Sequence, residues 1–159
     1  MPGNGLRGNN VRGYAWILLG LTSLFVTRVI AQLIQTWHPV AFLPSFEVWQ
    51  SGALPYPLLL VSQIIITGCC LRVVWRMFKC AVVPLRKKGR IMFVLGGLYG
   101  LVMSIRLVIG LMVAPNHFWF GATLPTVFHF VLAAFLLVYA RFHLSGLETT
   151  ISHPQKANA

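Results

Sequence analysis

Residues 23–37, SLFVTRVIAQLIQTW, place one arginine, Arg28, in the middle of an apolar run. The run reaches upstream to residue 14 without another charged side chain. About 20 apolar residues are enough for a helix to cross the ~30 Å hydrocarbon layer of a bilayer. We therefore interpret residues 14–36 as a membrane span that carries one permanent charge, and the role of that charge is the main functional question.

The composition extends this interpretation to the whole chain. Of the 159 residues, 57% are hydrophobic and only 9% are charged, with a mean hydropathy of +0.77. A soluble domain has about 25% charged residues, so a soluble protein is excluded. Three more apolar stretches, 55–78, 91–114 and 125–143, each match the length of a span. Backbone within lipid must satisfy its own hydrogen bonds, so the sequence predicts an all-α integral membrane protein, a four-transmembrane-helix bundle.

Basic residues predict the orientation of the bundle. The net charge is +11, and the connector between the second and third spans is the richest in basic side chains: Arg72, Arg76, Lys79, Arg86, Lys87, Lys88 and Arg90. Loops 38–54 and 115–124 contain no lysine or arginine. Basic residues accumulate on the cytoplasmic side, so this distribution predicts two helical hairpins with both termini in the cytoplasm. The charge excess then reflects topology and contact with anionic lipid at 72–90, not binding of nucleic acid.

The two ends of the chain are interpreted as tails. Residues 1–13 predict a flexible basic tail and residues 144–159 a cytoplasmic C-terminal tail. A signal peptide cleaved after residue 31 is the alternative for the N-terminal region. It is disfavoured because the apolar run continues past residue 31 and no A-x-A site is present. The short loops favour a bacterial inner membrane.

The first and third spans, which are predicted to run from the cytoplasmic side to the outer side, each carry an arginine at a similar depth. Arg28 lies roughly 21 Å from the start of its span, and Arg106 about 22 Å from the start of the third span, at 1.5 Å per residue. Both are predicted in the outer half of the bilayer. Helical side chains lean towards the helix N-terminus, which for these spans is away from the nearer surface. Snorkelling to the outer headgroups is therefore geometrically disfavoured.

Other polar residues share this depth. Gln32 and Gln35 follow Arg28 on one helix face, at i+4 and i+7. Ionisable groups within a membrane usually face the bundle interior or a cavity. The sequence therefore predicts a polar layer in the outer half, formed by Arg28, Gln32, Gln35, Gln63, Arg106 and His129.

Charge balance makes this layer a candidate binding site. Arginine does not deprotonate in proteins. The chain has two acids, Glu47 in the first outer loop and Glu148 in the C-terminal tail. Glu47 is the acid that can reach the layer, and one carboxylate cannot neutralise both Arg28 and Arg106. We therefore add Glu47 to the predicted ligand-binding residues. A structural layer satisfied by water and Glu47 is the alternative.

The outer loops are strongly aromatic. Phe42, Phe46 and Trp49 are spaced for one face of a short helix, which predicts an interfacial helix over 38–54. A loop that re-enters the bundle is the alternative. No metal, catalytic or cofactor-binding set is predicted, because no H-E-x-x-H, C-x-x-C or glycine-rich phosphate loop occurs. Haem ligation by His38 and His117 is disfavoured because both border loops.

The sequence thus favours a small membrane protein whose outer polar layer binds a lipid, a quinone or a partner membrane subunit. A membrane enzyme that uses Glu47 and His129 is the first alternative, and a purely structural or assembly subunit is the second. Gly96, Gly100 and Ser104 form a stripe of small residues on the third span. Such a stripe serves close packing within the bundle or contact between copies of the chain.

Overall fold

A computed structural model describes residues 3–43, 55–113 and 123–145, with side chains from residue 11 onward. These residues form four helices and no strand: α1 Gly3–Trp37, α2 Tyr56–Phe78, α3 Arg86–Met112 and α4 Thr123–Ser145. All four are long and apolar enough to cross a membrane. The prediction of an all-helical chain with four candidate membrane spans is therefore confirmed.

Apolar side chains cover the outside of these helices. Leu98, Leu101, Val108 and Leu111 of α3 are each more than half exposed. Exposed apolar surface on this scale cannot be wetted without a large loss of free energy. The surface is suited to contact with lipid tails, as expected of a multi-pass membrane protein.

Two helices begin earlier than the apolar pattern predicts. Helix α1 starts at Gly3, within the segment that we interpreted as a flexible tail, and α3 starts at Arg86 and not at residue 91. The correction has a physical reason. Hydropathy marks the part of a helix that lies in hydrocarbon, whereas an existing helix adds residues at little cost once its first turns are formed.

The start and end of α2 follow from local chemistry. Pro57 lies in the first turn, where the missing proline N–H leaves no hydrogen bond unmade. At the other end, Cys80 N–H donates to Met77 O at 2.9 Å and Ala81 N–H donates to Arg76 O at 3.0 Å. This pair of bonds is the Schellman motif, and Cys80 occupies its left-handed position with φ 50°. Glycine is the usual residue there, so Cys80 closes α2 at some cost in backbone strain.

Close backbone approaches join α1 to α2, α1 to α4 and α3 to α4. The ring pair Trp16–Phe78, 5.2 Å between centroids, and the Tyr14–Ser145 hydroxyl contact, 3.3 Å, bring the C-terminal ends of α2 and α4 to the same turn of α1. We call this the connector end, because the α2–α3 connector 79–85 also lies here. The other end, where α1 finishes at Trp37, is the far end. Within the described ranges, α2 and α3 do not approach each other closely.

The apolar core occupies the half of the bundle nearer the connector end. Its buried members come from α1, α2 and α4: Ala15, Leu18, Cys70, Val74, Met77, Phe135, Tyr139 and Phe142. Glycines of α3 lie at its contact with α4. A Cβ atom on Gly96 would lie 3.0 Å from Leu136 Cβ, and one on Gly89 would lie 2.9 Å from the Leu144 side chain. Small residues thus let α3 and α4 pack backbone to backbone.

Candidate functional site

Buried polar residues replace apolar ones in the far half of the bundle. On α1, Arg28 is 7% exposed and Gln32 only 1%. Arg106 of α3 is 3% exposed, and so is Gln63 of α2. Four polar side chains from three helices are therefore buried in the far half of the bundle.

The guanidinium of Arg28 lies against an aromatic ring of α4. Its Cζ atom is 5.3 Å from the centroid of the Phe128 ring. A cation over a ring face within about 6 Å is attracted by the ring quadrupole, and more strongly where water is excluded. Phe128 precedes His129, so the start of α4 supplies both an aromatic face and an imidazole to the layer.

A short hydrogen bond joins α3 to α4. The Tyr99 hydroxyl lies 2.6 Å from His129 Nδ1, and the two rings meet edge to face, 5.8 Å apart at 85°. Tyr99 is close enough to both Arg28 and Arg106 to interact electrostatically with each. His129 has the same two cationic neighbours. The tyrosine–histidine pair therefore lies in the positive field of both arginines.

A pair of buried amides joins α1 to α2. Gln63 Nε2 donates to Gln32 Oε1 at 3.1 Å. The hydroxyl of Thr36 donates to the Gln32 carbonyl oxygen at 2.7 Å and shares a hydrogen bond with the Tyr56 hydroxyl at 3.2 Å. The amide nitrogen of Gln32 has no hydrogen-bond partner among the described residues. We add Tyr99 to the polar layer, so that the name covers Arg28, Gln32, Gln35, Gln63, Tyr99, Arg106 and His129 from here on.

Gln35 makes a hydrogen bond that its position on the helix did not predict. Its Oε1 accepts a hydrogen bond from Val40 N–H at 3.1 Å. The side chain is 8% exposed, so the bond is largely shielded. This contact satisfies a backbone donor just beyond the end of α1, where helical partners are no longer present. Gln35 thus helps to close the helix end, and its role in ligand binding stays a prediction.

The other predicted residues are placed as follows. Glu47 and His117 lie outside the described residues, and His38 is exposed at the end of α1. The predicted interfacial helix over 38–54 lies mostly outside the described residues as well. The prediction that Glu47 offsets one arginine therefore stays a prediction.

The stripe of small residues on α3 is divided between two environments. Gly96 is buried against α4, and a Cβ on Gly100 would contact Ala133 Cβ at 3.6 Å. Ser104 is exposed, and its hydroxyl donates to the Gly100 carbonyl oxygen at 2.8 Å. Packing within the chain explains the two glycines. Contact between copies of the chain through this stripe stays a prediction.

The structure adds residues that the sequence analysis did not place in a site. Tyr99 belongs to the polar layer, and the signal that could have found it was its spacing of seven residues from Arg106. A second polar cluster lies at the connector end. There, His143 Nδ1 accepts from Leu85 N–H at 3.1 Å, and Lys88 Nζ donates to the Tyr139 hydroxyl at 2.8 Å. His143 is 1% exposed, so it fixes the connector to the end of α4 from a buried position.

Comparison of the chain with known protein families, with curated proteins and with solved structures gives no match. The functional argument therefore rests on the geometry of the polar layer.

Proposed function

We propose that this chain is a small multi-pass membrane protein that binds the polar headgroup of a membrane ligand in its polar layer. The ligand classes that fit are a lipid, a quinone or the polar surface of a partner membrane subunit. One observation carries the proposal. Arg28 and Arg106, from different helices and each more than nine-tenths buried, lie within electrostatic range of the same tyrosine, Tyr99.

The charge of the layer supports this choice. The chain has two acids, and Glu148 belongs to the C-terminal tail, far along the sequence from the layer. Glu47 can offset at most one of the two guanidinium charges. An arginine at membrane depth costs roughly 2.5–3.5 kcal/mol on insertion scales. A ligand that brings acceptor oxygens into the layer reduces this cost, and binding is favoured accordingly.

The arrangement of the helices supports entry from the membrane. Helix α2 packs on α1 and α3 packs on α4, while α2 and α3 do not approach each other in the described ranges. A ligand with an apolar tail can lie between them with its headgroup at the polar layer and its tail among lipid chains. The apolar exposed faces of both helices suit such a tail.

The proposal includes an orientation. We propose two antiparallel hairpins in a bacterial inner membrane, with both termini and the connector 79–85 in the cytoplasm and the polar layer in the outer half. The basic residues on both sides of the connector support this orientation. Their side chains are exposed, and each contributes about 1 kcal/mol of attraction to an anionic leaflet.

Native mass spectrometry of the detergent-extracted protein tests the binding proposal. We expect Arg28→Gln and Arg106→Gln each to reduce the ligand that stays bound, because each removes one guanidinium from the layer. Arg141→Gln is the matched control, since it removes the same charge from an exposed position. If all three variants keep the same bound ligand and the same melting temperature as the parent, the binding proposal is wrong.

Thiol labelling in spheroplasts tests the orientation. Cys80 is exposed beside the connector, so a chain with Cys69 and Cys70 changed to serine reports on that end alone. We expect a membrane-impermeant maleimide to label Cys80 only after the membrane is opened. His38→Cys in a cysteine-free chain is the control, and it should be labelled in intact spheroplasts. Labelling of Cys80 from outside would reverse the proposed orientation.

A further inference from the structure

Gln32 is a buried polar residue whose hydrogen bonding is incomplete. Its side chain is 1% exposed, and Gln63 occupies its Oε1 atom at 3.1 Å. The Nε2 atom carries two donor hydrogens and has no partner among the described residues. A buried donor without an acceptor destabilises a fold, so such donors are normally satisfied. The missing group at this position is an acceptor oxygen.

The position of Gln32 indicates where that oxygen comes from. Gln32 lies one helical turn beyond Arg28 on the same face of α1, about 6 Å along the axis. A headgroup that reaches across one helical turn can therefore contact both the Gln32 amide and the guanidinium of Arg28. The Tyr99–His129 pair and Arg106 lie on the opposite side of the layer, within range of Arg28.

The chemistry of the layer is dominated by donors. Each guanidinium has five N–H donors and no acceptor, and the Gln32 amide nitrogen adds two more. Among the described residues there is no carboxylate at all, because both acids of the chain lie outside them. A site of this kind favours a group with several acceptor oxygens and a negative charge. It disfavours a headgroup that ends in an ammonium, because the ammonium would meet two positive charges.

We propose that the ligand of the polar layer is an oxyanion headgroup on an apolar tail, either a phosphate or a carboxylate, and that Gln32 Nε2 donates to one of its oxygens. This inference rests on the proposed function, since it names the ligand class of the same site. Gln32 is then a specificity-determining residue: it contacts the headgroup, and its donor hydrogens exclude a ligand that presents a donor of its own. A neutral headgroup lacks the charge that both arginines require.

The test uses the full chain in detergent with defined probes. Phosphatidic acid provides a phosphate and a long-chain fatty acid provides a carboxylate, while diacylglycerol has the same tails as phosphatidic acid without the anion. We expect native mass spectrometry to show retention of at least one anionic probe and little retention of diacylglycerol. Comparison of the two anionic probes identifies which oxyanion is bound. Equal retention of diacylglycerol and both anions would overturn the oxyanion assignment.

Two variants then test Gln32. Gln32→Glu keeps the shape and the acceptor for Gln63, but it places a carboxylate where the ligand oxygen would lie. We expect retention of the anionic probe to fall at least about tenfold, in line with the loss of a hydrogen bond to a charged group. Gln32→Met removes the donor without adding charge and should give a loss of similar direction. His38→Glu is the matched control, because it adds a carboxylate at an exposed position just beyond α1, and retention should change less than about twofold.

Thermal unfolding separates binding from folding. The parent and His38→Glu should melt at a higher temperature when the retained anionic probe is added, because a ligand that binds only the folded state stabilises it. Gln32→Glu should fold but show no such rise. If Arg28→Gln loses the probe while Gln32→Glu and Gln32→Met keep it, the role of Gln32 is wrong and the proposed function stands. If none of these variants loses the probe, both are wrong.

Discussion

Two neighbouring glycines on α3 allow a sharp test of how that helix is held. Gly96 faces α4, whereas a Cβ atom on Gly97 would have no neighbour within 4 Å. Alanine at either position should gain about 1 kcal/mol from helix propensity. Only at Gly96 does the new methyl group meet another helix. The difference between the two variants therefore isolates the packing of α3 against α4.

The distances set the expected size of this difference. A Cβ on Gly96 would lie 3.0 Å from Leu136 Cβ and 3.2 Å from Leu137 Cδ2. The Leu137 methyl can rotate away, but the Leu136 Cβ is fixed to its helix, so α3 itself must shift. Overpacking of this kind costs about 1–3 kcal/mol. We expect Gly97→Ala to stabilise the protein by about 1 kcal/mol and Gly96→Ala to be between neutral and about 2 kcal/mol destabilising.

Unfolding in mixed micelles with a rising fraction of sodium dodecyl sulfate measures both free energies, with circular dichroism as the readout. The two variants are compared in the same detergent, so effects of the micelle cancel in the difference. If Gly96→Ala is as stable as Gly97→Ala, α3 does not rest on α4 at this glycine and the described contact is wrong.

Three other predictions concern single contacts. Cys80→Gly should stabilise the protein by about 1 kcal/mol in the same unfolding assay, because glycine adopts positive φ without strain. Cys69→Gly, inside α2, should instead destabilise the protein by about 0.3 kcal/mol, the difference in helix propensity between the two residues. Effects of the same sign at both positions would contradict the assigned role of Cys80. His143→Phe should lower the free energy of unfolding by about 1 kcal/mol, because Leu85 N–H loses its hydrogen-bond acceptor. His143→Gln should restore part of this loss. If the two variants are equally stable, the hydrogen bond from Leu85 N–H contributes nothing to stability. Glu47→Gln should lower the melting temperature in the absence of lipid and increase the rise caused by phosphatidic acid, because the layer then loses the carboxylate that we predict beside its two arginines. Loss of a measured catalytic activity without any change in melting temperature would favour the alternative of a membrane enzyme.

The sequence predicts the four candidate spans because their length and composition depend on one physical quantity, contact with hydrocarbon. Arg28, Gln32, Gln63 and Arg106 are buried together in the structure, as their depth and helix stripe suggest. Whether they bind a ligand stays a prediction. The first residues of the helices could not be predicted from hydropathy. A helix continues through the headgroup region, where its residues are polar and hydropathy gives no signal, as at Arg86.

The hydrogen-bond partners of the side chains in the polar layer could not be predicted from the sequence. Gln35 shares the stripe of Arg28, yet it bonds to Val40 N–H because the chain turns back beside it at the end of α1. Tyr99 pairs with His129 only because α3 lies against α4 at that level. Both contacts depend on tertiary geometry that spacing along one helix does not contain.

The packing of α3 has a consequence for the biogenesis of the protein. In the described part of the chain, α3 packs closely on α4 alone, and α4 is the last helix to be synthesised. During translation, α3 therefore enters the membrane before its packing partner exists, with Arg106 at membrane depth and Tyr99 without His129. Insertion of α3 must be sustained by its own apolar residues and by the insertion machinery until α4 emerges.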